Sequence, residues 1–110
     1  MTIPFSVFDQ VEMRVGEIVQ VDPFPAARKP AYKVTIDFGE FGLKQSSAQI
    51  TVHYSEQSLI GRRIIAVTNF NPKRIAGFLS EVLVLGVPDV NGDVVLLMPE
   101  QDVALGARVF

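Results

Sequence analysis

The chain contains no cysteine, a single histidine and no apolar run near the ~20 residues that a bilayer-spanning helix needs. Without cysteine there is no disulfide framework to demand an oxidising compartment, and no thiolate zinc site. The opening Met1-Thr2-Ile3-Pro4-Phe5 lacks a basic segment followed by an apolar one. No secretory signal is read there, and a cytoplasmic protein without membrane insertion is expected. The lone histidine, His53, stands beside Tyr54, yet no motif pairs it with a nucleophile and an orienting acid. A surface histidine is the expectation. Ser80-Glu81 suits hydrogen bonding within a loop, or to a ligand's backbone or 2′-hydroxyl, better than catalysis. No glycine-rich nucleotide loop or metal-ligand cluster is read. These absences argue against an enzyme and imply no cofactor and no metal.

What is present amounts to one domain. The 110 residues are 48% apolar, enough for one core and too apolar for disorder. A formal net charge of −2 conceals a segregation. From Arg28 to Arg74 eight cations (Arg28, Lys29, Lys33, Lys44, Arg62, Arg63, Lys73, Arg74) stand against three acids, Asp37, Glu40 and Glu56, and both flanks are acidic. Folded onto one side, that segment would offer a basic face to phosphates or acidic peptides, and salt would weaken the binding.

The residue pattern predicts a series of short elements. Val7 to Val11 reads as an entry helix with Ser6 as its N-cap. Glu12 to Asp22 reads as a strand whose alternation slips at Glu17-Ile18, directly after Gly16, the mark of a bulge or bend. Pro23, Pro25 and Pro30 bracket a loop carrying Arg28 and Lys29. Tyr32, Val34, Ile36 and Phe38 alternate inward along a second strand. Leu43 to Val52 is polar in its middle, with Gln45, Ser47 and Gln49 on one face and Lys44, Ser46 and Ala48 on the other. It is either a half-exposed strand or a binding face that uses Lys44, Ser46 and Ser47. Tyr54 to Ile60 reads as a short helix ended by Gly61. A strand from Ile64 to Phe70 runs into a basic turn, Asn71-Pro72-Lys73-Arg74. Val82 to Val87, apolar on both faces, reads as a central or buried strand, and Asn91-Gly92-Asp93 as a hairpin turn.

Five strands with a helix between the third and fourth predict an all-β, five-stranded OB-fold barrel. Such barrels bind ligands on strands two and three and in the loops joining strands one–two and four–five. Arg28 and Lys29 fall in the first loop, Lys73 and Arg74 in the second, and Lys44 on strand three. Convergence of these cations in one groove with accessible rings is the expectation on which any binding role rests. Residues 1–110 form a single domain, with a barrel and N-terminal helix over 1–87 and a C-terminal β extension over 88–110. The extension's apolar strands, Val94 to Met98 and Arg108 to Phe110, need a covering surface. That surface is either the extension's own barrel or a second subunit; the second is favoured, giving a dimerisation extension and a twofold homodimer.

Two segments carry a family resemblance: Arg14-Val15-Gly16-Glu17-Ile18, and Lys73-Arg74-Ile75-Ala76-Gly77-Phe78-Leu79-Ser80-Glu81-Val82-Leu83. With these, Phe8 to Phe110 resembles the tRNA-binding OB-fold domain family. Phe24 to Ala31, Ile36 to Gly39, Gly42 to Thr51 and Asn71 to Gly86 resemble its CsaA-type export-chaperone branch, homodimers that bind presecretory or unfolded polypeptides. The resemblance implies an ATP-independent chaperone in protein export. Phe41, Tyr54, Phe70, Ile75, Phe78 and Arg74 would meet the polypeptide, and the export machinery is a further candidate partner. The alternative it implies is a binder of tRNA or single-stranded nucleic acid, using Arg28, Lys29, Lys44, Ser46, Ser47, Lys73, Arg74, Ser80 and Glu81. Where the general tRNA-binding pattern has arginine-glycine, this chain has Ile75-Ala76-Gly77, which argues against tight tRNA recognition.

Overall fold

The computed structural model describes residues 1–110. A short helix α1 (Phe5–Asp9) leads to β1 (Met13–Pro23), β2 (Tyr32–Asp37) and, after one 3-10 turn at Gly39–Phe41, β3 (Leu43–Ala48). Next come α2 (Glu56–Leu59), β4 (Arg63–Val67), β5 (Lys73–Ile75), β6 (Phe78–Ser80), β7 (Leu83–Val84), β8 (Gly86–Pro88) and β9 (Val94–Leu96). One antiparallel sheet has the order β3-β2-β1-β4-β7 and curls into a nearly closed barrel; β5-β6 and β8-β9 are separate hairpins. The fold is the expected all-β, OB-like barrel. No helix is long and apolar enough to cross a membrane.

β1 makes the barrel possible because it serves two neighbours. Met13 to Glu17 pair with β4, and Glu17 to Pro23 pair with β2. The ladder to β2 slips between Ile18 and Gln20, so the bend falls one residue beyond the anticipated Glu17-Ile18. An extra residue there increases local twist and lets one strand turn a corner. Inside, Ile18, Val34, Ile36, Phe38, Ile64 and Ala66 form the core, with Leu59 of α2 plugging one end. That helix is only four residues long and holds its start with a reciprocal Ser55–Ser58 capping box.

Between β3 and β6 no regular ladder closes the barrel, and side chains stand in for it. The Gln45 N–H donates to Glu81 Oε1 (3.1 Å), the Ser47 N–H to Ser80 Oγ (3.1 Å), and the Glu81 N–H to the Gln45 carbonyl (2.8 Å). Unpaired strand edges are costly, and Ser80-Glu81 satisfies this one.

Three local expectations are corrected. The first helix starts at Phe5 after Pro4, so Ser6 lies inside it and caps nothing. The apolar run Val82 to Val87 is split between β7 and β8, and Leu83 and Val87 are about half exposed. Hydrophobicity alone did not distinguish a buried strand from one lying at the barrel rim. The basic turn is no turn: Lys73 and Arg74 lie on β5, and the chain reverses at Ala76-Gly77, with φ of 48° and 82°. Two consecutive positive φ values make the tight reversal whose twist suits a two-residue hairpin. Part of the C-terminal extension also pairs with β1 of its own barrel. The Val15 N–H donates to the Ala107 carbonyl and the Val109 N–H to that of Met13, and Leu96 joins the core. Outside this seam, Val87, Val95, Leu97, Met98 and Phe110 remain exposed.

Candidate polymer-binding groove

The loop after β1 and the β5-β6 hairpin face one another across the outer side of β3. Between them lies an open hollow of about 460 Å³. Arg28, Lys29, Lys73 and Arg74 line it, above a floor that includes Ala31, Ile75 and Ser47, and no acid contributes to its wall. None of the four cations is in an ion pair. Their charge is therefore uncompensated and available to an anionic or carbonyl-rich ligand. Ser47, Lys73 and Ile75 continue into a second hollow of about 260 Å³, shared with Phe70, Asn71 and Glu81. Strand β5 thus runs between two connected depressions, with cations on one side and the half-exposed Phe70 ring on the other.

Phe78 anchors the hairpin. Its ring meets Phe24 edge-on at 5.4 Å between centroids, and the Lys33 ammonium sits 4.8 Å from the Phe24 ring and 5.3 Å from that of Phe78. Phe24 is buried, so Phe78 spends much of its surface on holding β5-β6 against the Phe24 ring and the Lys33 side chain. Gln45 completes the attachment, its side-chain amide Nε2 donating to the Leu79 carbonyl at 2.9 Å.

The remaining sequence candidates do not converge here. Lys44 and Phe41 lie in a separate hollow with Glu12, Arg14, Phe38 and Thr68, because Lys44 alternates onto the face of β3 opposite Ser47. In that hollow the Arg14 guanidinium stacks on Phe41 at 3.8 Å. It also donates to Glu12 and, at 2.7 Å, to the Gly106 carbonyl. The arginine's hydrogen bond chiefly holds the Glu12 carboxyl below its ordinary range. Ser46 is 1% exposed, points into the core side and donates to the Ser47 carbonyl, so it has no surface to offer a ligand. Tyr54 packs against the core; its hydroxyl accepts from the Leu96 N–H and its carbonyl accepts from the Tyr32 hydroxyl. Ser80 and Glu81 hold the β3 edge, though the second hollow leaves them partly accessible on one side. The expected groove of Arg28, Lys29, Lys44, Lys73 and Arg74 with its rings therefore loses Lys44 and reduces to Arg28, Lys29, Lys73 and Arg74 with Ile75, Ser47 and Phe70.

Sequence reasoning passed over the small residues Ala26, Ala27 and Ala31 and Gln49, which shape the first hollow. The Pro-bracketed run Phe24 to Ala31 was the signal available for them. It also missed a grouping around His53, whose Nε2 lies 2.6 Å from Asp89 Oδ2 with Asp93 close by. The Asp89 carboxyl is held below the ordinary aspartate range by the Asp93 backbone N–H, then by His53 and the Asn91 N–H.

With this geometry in view, the comparisons with known proteins are specific. Residues 13–108 match the family described as "Putative tRNA binding domain", and the chain belongs to that tRNA-binding domain family. Along its whole length it is similar to the crystal structure of the chaperone CsaA from Bacillus anthracis, at 50% identity, TM-score 0.93 and full coverage of both chains. The CsaA chaperone protein of Picrophilus torridus is similar at 47% identity and TM-score 0.93, covering 99% of this chain and 100% of that one. A methionine–tRNA ligase of Thermococcus onnurineus is 36% identical over 107 residues, 97% of this chain. The chain spans only 14% of that ligase's length, and what it matches there is the non-catalytic tRNA-binding domain.

Proposed function

We propose that the protein is a cytoplasmic, ATP-independent chaperone that holds unfolded or presecretory polypeptides in the groove along β5, and that it works as a homodimer. The observation that carries this reading is a wall of four unpaired cations over an apolar floor, with Phe70 at its far end. An extended chain would lay apolar side chains on Ile75 and Phe70, while the cations meet its acids and carbonyls. The full-length likeness to chaperones supports the same reading. Affinity is modest, because ordering a flexible chain costs about 2–5 kcal/mol.

Family membership favours a second reading, tRNA or single-strand binding through the same cations. Sequence-tolerant strand binding relies on exposed rings for base stacking, and the groove has one such ring, Phe70. The polypeptide reading is therefore preferred. Fluorescence anisotropy with a labelled unfolded preprotein segment separates the two. We expect binding that is indifferent to ATP and is weakened by Arg74→Glu. Absence of binding at tens of micromolar polypeptide, alongside tRNA binding that falls steeply with salt, would replace the first reading by the second.

A further inference from the structure

We propose that His53, Asp89 and Asp93 form a binding site for a divalent transition-metal ion of the zinc type. One ligand atom from each of the three lies within 4.8 Å of the others. His53 comes from the loop after β3, and the two aspartates flank the turn joining β8 to β9. The ion would thus bridge two segments that the backbone ladders leave unconnected.

The turn prearranges the carboxylates. Asp89 Oδ1 accepts from the backbone N–H of Asn91 (2.8 Å) and of Asp93 (3.0 Å). The Asp89 N–H donates to the Asp93 carbonyl (2.8 Å), and Gly92 adopts φ 88° to complete the reversal. With Oδ1 committed, Oδ2 is fixed toward the His53 imidazole. The Asp93 carboxylate is half-buried and makes no hydrogen bond or ion pair of its own. Lys29 lines the hollow beside Asp93 but forms no ion pair with it.

The donor set selects the ion. One imidazole nitrogen with two carboxylate oxygens suits zinc and its first-row neighbours; magnesium prefers an all-oxygen octahedral shell with several waters. Donors about 2.0–2.2 Å from a common ion sit roughly 3 Å or more apart, so the 2.6 Å His53–Asp89 contact must open slightly. His53 is exposed, so solvent, not core packing, would take up that adjustment. Water would fill the remaining positions.

Isothermal titration of the full chain with ZnCl2, and separately with MgCl2, tests the site. The wild type is expected to take up one equivalent of Zn2+, with the His53 ring resonances shifting in step, and to give no heat with Mg2+. Loss of even an outer partner of a metal site costs about 10–100-fold in affinity, so His53→Gln and Asp93→Asn should each weaken Zn2+ binding at least tenfold. Asp102→Asn, at a fully exposed carboxylate, should leave it unchanged. Equal Zn2+ affinity in wild type and Asp93→Asn would overturn the proposal, because the imidazole alone would then account for binding. So would a wild type that gives no Zn2+ heat.

Discussion

At position 16 a side chain would have nowhere to go: an added Cβ would press into the Ile36 side chain and lie 2.8 Å from Phe38 Cε1. β1 crosses the core there at a separation only glycine allows. Gly16→Ala should therefore lower the urea midpoint, by roughly 1–3 kcal/mol of stability as overpacked cores do; an unchanged midpoint would mean the barrel is looser than described. Two residues earlier, Arg14 ties Glu12 to the chain's end through the Gly106 carbonyl. The Glu12 carboxyl, held low chiefly by the arginine's hydrogen bond, has a lower pKa folded than unfolded. Its contribution to stability is present above the ordinary glutamate pKa and disappears as pH falls through the native value. Urea midpoints measured from pH 7 downward should decline over that acid range, and the decline should be shallower in Glu12→Gln.

Among the elements, the β5-β6 hairpin decides whether the groove exists, and its turn carries a strained residue. Ala76 has φ 48°, a conformation that costs an L residue roughly 1–2 kcal/mol and costs glycine little. Ala76→Gly should raise the thermal midpoint, by up to about 1 kcal/mol of stability once glycine's extra unfolded-state freedom is deducted. A fall in the midpoint would show that the methyl group packs usefully. The hairpin also marks where sequence reasoning ran out. The inward alternation of Val34, Ile36 and Phe38 and the helix before β4 were legible because period-2 burial and capping are local. The reversal at Ala76-Gly77 was hidden, since alanine is not a signal for positive φ, and Pro72 drew the turn forward. Lys44 was misplaced because its alternation with Ser46 put it inward of the groove face, a consequence of strand phase that charge counting overrides. The grouping of His53 with Asp89 and Asp93 depends on a contact 36 residues apart, which no local pattern announces.

For the whole molecule, the unresolved balance is apolar surface. Val87, Val95, Leu97, Met98 and Phe110 stay exposed after the chain's end has paired with β1, and Val87 stands opposite Val95 across the β8-β9 hairpin. In the homodimer we propose, this face is covered by its copy. Sedimentation equilibrium should give twice the chain mass for the wild type and a monomer for Leu97→Asp with Val95→Glu; a monomeric wild type at tens of micromolar would refute that assembly. A dimer would place two grooves on one particle, raising the effective affinity for a long client without new contacts. The central claim, that the cationic hollow along β5 receives unfolded polypeptide, is tested most directly by titrating an isotope-labelled sample with an unfolded preprotein segment and mapping the amide shifts. The account predicts changes concentrated at residues 26–31, 47–49 and 70–76. Shifts confined to the Phe41–Lys44 hollow, or none at saturating polypeptide, would contradict it.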